Sequence, residues 1–380
     1  MTGFVFSRKP IEIESGQRVY LYDADGTSYL DMGASYACVP LGHSPPTVVE
    51  ALSAQAEELL YVQGSYPVAV RDRLQERLGR LAPAPIDRVW LANSGTEANE
   101  GALKFARHAT GRSKIVATSR AFHGRTMGSL AATWDSKYRE GFDPLAGDVE
   151  FAPFGDGESL EATVDDETAA VIVEPIQGEG GINPAGEEYL KRAREVTETH
   201  GAALIFDEIQ TGLGRTGSMW VADRVGVSPD VLTTGKGLAS GLPMAATLVR
   251  EWIASDAGNH GSTFSGGPTV AAAAEATLSA IEERDLPGHA AEMGARLQRG
   301  LETGLDEGVR AVRGRGLMVG VEVKRNANGV VRSLAMDEQV LTLPAGRTVV
   351  RLLPPLVVGP EHVERTVEAF EQVVPELAEP

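Results

Sequence analysis

The apolar run Val231–Thr234 ends in Gly235-Lys236-Gly237. A lysine in an apolar, glycine-flanked setting can serve as a nucleophilic amine, although lysines also snorkel to solvent. Lysine is scarce in this chain, confined to positions 9, 104, 114, 137, 191, 236 and 324, which gives weight to one kept between two glycines. A second apolar run, Ala-Leu-Ile-Phe, ends in Asp207-Glu208-Ile209-Gln210. An acid at the end of a buried strand is costly unless paired; it either caps something or meets a cation such as a protonated ring nitrogen. A third run, Arg-Val-Trp-Leu-Ala, leads through Asn93-Ser94-Gly95-Thr96 into a helical pattern. Such a turn is either an ordinary polar cap or a phosphate cradle of free N–H groups at a helix N-terminus. Read together, the three ask for one ligand with a phosphate, a ring nitrogen and an aldehyde, which points to pyridoxal 5′-phosphate.

The elements that must position these residues are legible as period and length. Seven continuous apolar runs, in RVWLANS, KIVATS, VEFAPF, AAVIVEP, ALIFDE, VLTTG and MAATLVR, read as strands buried on both faces. Helix-like stretches such as EANEGALKFARHA and GEEYLKRAREVTETHG lie between them. The expectation is an α/β fold whose mostly parallel seven-stranded sheet is sandwiched by helices, with ligands at the carboxyl ends of the strands. This large cofactor-binding domain is placed at residues 55–255. Residues 1–54 and 256–380 are read as one smaller α+β domain built from both termini.

Composition narrows the function classes. The 380 residues carry a formal net charge of −18, which disfavours nucleic acid and anionic membranes as partners. High acid with little lysine fits a salty cytoplasm. No apolar run approaches a membrane span, and the start of the chain lacks the layout of a signal peptide, so a cytoplasmic location is expected. The one cysteine, Cys38, permits no internal disulfide and reads as a packing residue. Gly212-Leu-Gly214-Arg-Thr-Gly217 spells a dinucleotide-binding motif, which would make the chain an NAD-dependent dehydrogenase, but it does not sit directly at a strand-to-helix turn. No HExxH sequence or histidine pair at metal spacing occurs.

Longer stretches resemble the class-III aminotransferases of the ornithine and acetylornithine type, which have PLP fold type I. GHSPPTVVEAL, NSGTEANE, FHGRT, EPIQGEGG, LIFDEIQTGLGRTG, HGSTFSGG and RLLPPL follow one another along nearly the whole chain. The resemblance implies that Gly95 and Thr96 bind the cofactor phosphate and that Phe122 stacks on the pyridine ring. It implies that Asp207 pairs with the ring nitrogen, Gln210 meets the ring hydroxyl, and Lys236 holds the aldehyde as a Schiff base and then acts as the proton-moving base. Thr263 is expected to reach the phosphate of a neighbouring subunit, making a homodimer, with Ser262 beside it touching substrate. Arg125 resembles a clamp for the carboxylate of the ω-amino substrate, Arg351 one for the α-carboxylate of glutamate, and Glu179 the acid that neutralises Arg351 between half-reactions. Tyr36 stands where free-ornithine aminotransferases carry tyrosine.

Within the family, GRTMGSLAATWDSKYREGF is most similar to the lysine-biosynthesis branch. Its members act on lysine or ornithine tied through the α-amine to the amino-group carrier protein LysW. The resemblance therefore implies transfer between glutamate/2-oxoglutarate and carrier-linked aminoadipate or glutamate semialdehyde. N-acetylornithine and free ornithine are the alternatives.

Overall fold

All seven apolar runs join one sheet. Its spatial order is Arg88–Ala92, Ala245–Val249, Val231–Thr234, Ala203–Asp207, Thr168–Val173, Lys114–Thr118 and Val149–Ala152. Only Ala245–Val249 runs against its neighbours, and every other adjacent pair is parallel. The strands Lys114–Thr118, Thr168–Val173, Ala203–Asp207 and Val231–Thr234 are buried along their whole length, which is why their sequences are continuous rather than alternating. The structure is a computed structural model and describes residue 5, residues 8–305 and residues 308–378.

The helix Gly95–Thr110 is bounded by its own sequence. Ser94 accepts the Glu97 N–H at its start, and Gly111, at φ 68°, ends it in the left-handed conformation. Its buried positions Ala98, Asn99, Ala102, Leu103, Phe105 and Ala106 recur at helical spacing and face the sheet. Glu187–His200 covers the sheet in the same way and also ends at a left-handed glycine, Gly201.

Both ends of the chain supply smaller sheets. Ile13–Gln17, Tyr20–Asp23 and Ser28–Asp31 pair with Val340–Leu341, joining the two termini. Val309–Arg315, Met318–Val323, Val349–Leu352 and Leu343–Ala345 form a second four-stranded sheet. The helix Pro46–Glu58 packs on Pro268–Glu283, which in turn lies on Ala69–Leu81.

The Gly212–Gly217 segment is a packing device. A Cβ on Gly212 would lie 2.5 Å from the buried Trp220 ring, while Gly214 and Gly217, both at positive φ, lie against Pro287 and Ala291 of the helix Leu286–Gly304. Between them Arg215 is buried and donates to the carbonyls of Leu317 and Pro354, which ties this loop to the C-terminal part of the chain. The next helix, Val221–Val225, begins beyond these glycines, so they do not form the phosphate turn of a dinucleotide site.

Candidate active site

The adjacent acids Asp207 and Glu208 point different ways and do different work. Asp207 Oδ2 accepts Asn99 Nδ2 at 2.8 Å and lies 2.7 Å from His123 Nδ1, while Oδ1 accepts the Ile209 N–H at 3.1 Å. A carboxylate at that distance selects the imidazole tautomer with its proton on Nδ1. Asn99 is itself fixed by the His123 carbonyl and the Thr233 hydroxyl. Glu208 turns away: its oxygens accept the N–H groups of Val221 and Ala222 and the Thr211 hydroxyl. It therefore caps a helix, and burial pushes its carboxyl up to about 7.

Gly95 and Thr96 open the helix that follows the edge strand. A Cβ on Gly95 would sit 2.9 Å from the Ile209 side chain, so the backbone approaches closely only because that position is glycine. The Thr96 hydroxyl lies 2.7 Å from Thr126 Oγ1 and accepts the N–H groups of Arg125 and Thr126 at 3.3 Å. Glu100, one turn further along, accepts from Thr126 Oγ1 and from the N–H groups of Gly128 and Ser129. The Phe122–Thr126 loop is thereby fastened to the helix that starts at Gly95.

Its other end is fastened by Glu174, just past the strand Thr168–Val173. Glu174 Oε1 accepts the Phe122 N–H at 2.9 Å, and Oε2 accepts the Gly178 N–H at 3.0 Å. Burial pushes this carboxyl up to about 7; Asp207 acts in the same direction, and His123 and the two amides oppose it. Gly178 in turn backs onto Gln210, whose Oε1 would be 2.2 Å from a Cβ there.

A cleft of about 340 Å³ lies among these groups, lined by Gly95, Thr96, Phe122, Arg125, Asp207, Gln210, Glu179 and Lys236 together with His123 and Glu174. Lys236 enters it from a short 3₁₀ turn, Lys236–Ala239, directly after its strand. Arg125 is exposed, with its guanidinium carbon 5.0 Å from the Tyr138 ring centre.

Arg351 is fully enclosed behind the cleft wall. Its Nη2 lies 2.7 Å from Glu179 Oε1, Nη1 donates to Gln210 Oε1 at 3.2 Å, and Nε has no partner among the described residues. Tyr36 faces it, its ring centre 5.3 Å from the guanidinium carbon. Tyr36 belongs to Ala34–Ala37, four consecutive non-glycine residues at φ 42°, 51°, 64° and 67°. Left-handed conformation costs an L-residue roughly 1–2 kcal/mol each, so this turn persists only because its surroundings hold it.

The structure thus brings nine of the twelve residues named from the sequence to one place: eight in the cleft and Arg351 against its wall. Tyr36 touches Arg351 but does not line the cleft. Ser262 and Thr263 do not line it within one chain: Thr263 is exposed, and Ser262 Oγ accepts Asn93 Nδ2 at 2.9 Å. Asn99, His123 and Glu174 escape notice in the sequence. Glu174 carries a usable signal, since it follows a wholly apolar run just as Asp207 does.

The donor set fits pyridoxal phosphate: a close-approach glycine and a hydroxyl at a helix N-terminus, a buried carboxylate with room before it, a flat aromatic side chain and a lysine. On a seven-stranded sheet of this topology, that set defines a PLP-dependent aminotransferase. The chain belongs to the aminotransferase class-III family, which it matches over residues 6–374. It is 40% identical to the LysW-aminoadipate semialdehyde/glutamate semialdehyde transaminase of Sulfurisphaera tokodaii, covering 96% of this chain and 95% of that one. It is also 40% identical to the acetylornithine aminotransferase of Methanosarcina acetivorans, covering 97% and 92%. Among solved structures, the ornithine aminotransferase from Toxoplasma gondii ME49 superposes with a TM-score of 0.94 at 32% identity, covering 99% of this chain and 93% of that one.

Proposed function

We propose that this enzyme is an ω-aminotransferase of lysine and arginine biosynthesis, moving an amino group between glutamate/2-oxoglutarate and LysW-linked aminoadipate semialdehyde, glutamate semialdehyde or both. The observation that carries the reading is the Arg351–Glu179 pair at the cleft wall. A buried guanidinium whose partner is partly exposed can exchange that partner for a substrate carboxylate, and Arg offers the planar fork to hold it. With Glu179 in place, Arg351 is neutralised and an ω-amine, which has no carboxylate on the carbon bearing the reacting amine, can enter. With Glu179 displaced, glutamate binds.

Bound pyridoxal phosphate supplies an electron sink for the carbon that loses a proton. In this reading the residues do the rest. Gly95 and Thr96 receive the phosphate, Phe122 covers one ring face, and Asp207, steadied by Asn99 and His123, holds the ring nitrogen. Gln210 meets the ring hydroxyl. Lys236 Nζ would be the base that takes the proton from the donor carbon and carries it to its next position. Arg125 at the mouth receives a carboxylate of the ω-amino substrate.

Carrier-linked substrates need room outside the cleft. A second cavity of about 600 Å³ begins at Phe122 and Glu179 and is lined by Arg120, Lys137, Arg139, Arg313 and Arg347. The relatives named above support equally the alternative of N-acetylornithine, with free ornithine a further one. Comparing turnover of carrier-linked, N-acetylated and free ω-amines with 2-oxoglutarate decides. A marked preference for the N-acetylated or free amine overturns the carrier reading.

We also propose a homodimer. Leu59, Leu60, Tyr61, Tyr66 and Phe264 are exposed beside Thr263, and the Tyr61 and Phe264 rings lie 5.4 Å apart. That apolar face suits a second copy, whose cleft Thr263 and Ser262 would complete. A cytoplasmic location and the division of the chain into a domain of residues 55–255 and one from both ends belong to the same proposal. Among the described residues no helix is long and apolar enough to cross a membrane.

A further inference from the structure

The left-handed turn that carries Tyr36 is closed at its base by two side chains. Asp31 ends the strand Ser28–Asp31, and its Oδ1 accepts the N–H groups of Gly33 at 3.0 Å and Ala34 at 2.9 Å. Its other oxygen, Oδ2, lies 2.9 Å from His43 Nε2. His43 stands where the chain leaves this segment and is fixed in the backbone by paired hydrogen bonds with Arg18, at 3.0 and 2.6 Å. One buried carboxylate therefore starts the turn and joins the two ends of the segment 31–43. Within it, Tyr36 meets Arg351, and the Ala37 carbonyl lies where a Cβ on Gly237, next to Lys236, would come within 3.2 Å.

We infer that Asp31 and His43 are positioning residues for substrate selection: they hold the Ala34–Ala37 turn in its left-handed form, so that Tyr36 bears on Arg351 and fixes the geometry in which Arg351 accepts a carboxylate. The inference rests on the assignment of Arg351 to the carboxylate of glutamate. Four adjacent residues in a costly conformation have no local reason to stay there. The amides at the start of the turn are satisfied by Asp31 alone among side chains. Without Asp31 the turn relaxes, Tyr36 leaves the guanidinium, and Arg351 loses the aromatic face that bounds it beside Glu179 and Gln210. Neither residue lines the cleft, so the side chains that meet the cofactor and move the proton keep their own partners.

The test uses holoenzyme of Asp31→Ala, Asp31→Asn, His43→Ala and Arg351→Ala. Each half-reaction is followed by the absorbance of the cofactor, and amide hydrogen exchange is read over residues 33–38. Asp31→Ala and His43→Ala are expected to speed exchange in that segment. They raise the half-saturating glutamate concentration by about tenfold, the loss carried by one hydrogen bond to a charged group. The maximal rate and the ω-amine half-reaction stay as in wild type. Asp31→Asn keeps an oxygen for the two amides and recovers most of the glutamate affinity. His43→Ala removes a single bond and serves where Asp31→Ala does not fold. Faster exchange with unchanged glutamate affinity, or equal losses in both half-reactions, overturns the inference while leaving the Arg351 assignment intact. Wild-type glutamate affinity in Arg351→Ala overturns that assignment, and the role of the turn with it.

Discussion

Arg351 Nη2 and Glu179 Oε1 lie 2.7 Å apart, the arginine wholly enclosed and the glutamate about one-quarter exposed. Only Glu179 has solvent to move into. Removing the two partners should therefore have opposite effects. Arg351→Ala is expected to weaken glutamate binding by roughly 10–100-fold, as for the loss of a charge-assisted pair, with a much smaller change for the ω-amine. Glu179→Gln leaves a bare buried cation and should weaken the ω-amine half-reaction instead. Stopped-flow measurement of each half-reaction distinguishes them, and matching losses in both variants would sink the exchange of partners.

Lys236→Ala should abolish the visible absorption of the lysine-bound cofactor and slow amino transfer by at least about 10²–10⁴, the usual contribution of a positioned acid–base group. A colourless wild-type protein, or a variant with unaltered spectrum, would contradict the role of this lysine.

Glu174 and Glu208 give the fold a pH dependence of definite sign. Each carboxyl is raised by burial from 4.5 to about 7. Their protonated forms favour the folded state, so the stability these two groups contribute is fully present below about pH 4.5, is lost as pH rises toward about 7, and is level above. Each shift corresponds to roughly 3 kcal/mol at most. Glu174→Gln removes one of the two and should flatten the loss by about half. Urea unfolding of holoenzyme between pH 5 and 8 measures the slope; an unchanged slope in the variant counts against a buried, protonatable Glu174.

Asn99→Ala deprives Asp207 Oδ2 of one donor and leaves the Thr233 hydroxyl and the His123 carbonyl without their partner. Buried groups left unpaired cost about 1–3 kcal/mol each. The variant should melt earlier and release cofactor faster on dialysis. Normal retention of cofactor with a lowered melting temperature would assign Asn99 to stability alone.

The legible part of this site lies at strand ends. Lys236, Asp207 and the Gly95–Thr96 turn each follow a continuous apolar run, and a parallel sheet gathers such positions along one edge. What stays hidden depends on direction or on distant partners. Two neighbouring acids, Asp207 and Glu208, look alike in the sequence; the end of the strand aims one at the cleft and the other at the Val221–Val225 helix. His123 and Asn99 gain meaning only when the sheet brings Asp207 between them. The left-handed turn at Ala34–Ala37 has no glycine to announce it, since its conformation is imposed by Asp31 and His43.

The strand Ala245–Val249 lies between Arg88–Ala92 and Val231–Thr234, with Val249 opposite Arg88 and Val231. The strand Arg88–Ala92, which leads into the helix bearing Gly95 and Thr96, thus joins the strand that precedes Lys236 only through a strand made much later than its own. During synthesis, a chain that has passed Lys236 but not yet Val249 contains every cofactor-binding side chain of the cleft, yet the sheet that carries them is still incomplete. The edge strand that leads to the phosphate cradle joins the sheet when this last inserted strand closes the gap. Long-range pairing of this kind is slow to form, so the edge of Arg88–Ala92 stays open on the nascent chain until then. Completion of the sheet beneath the cleft is accordingly a late event in the life of the polypeptide, and a reporter of cofactor capture would tell whether binding waits for it.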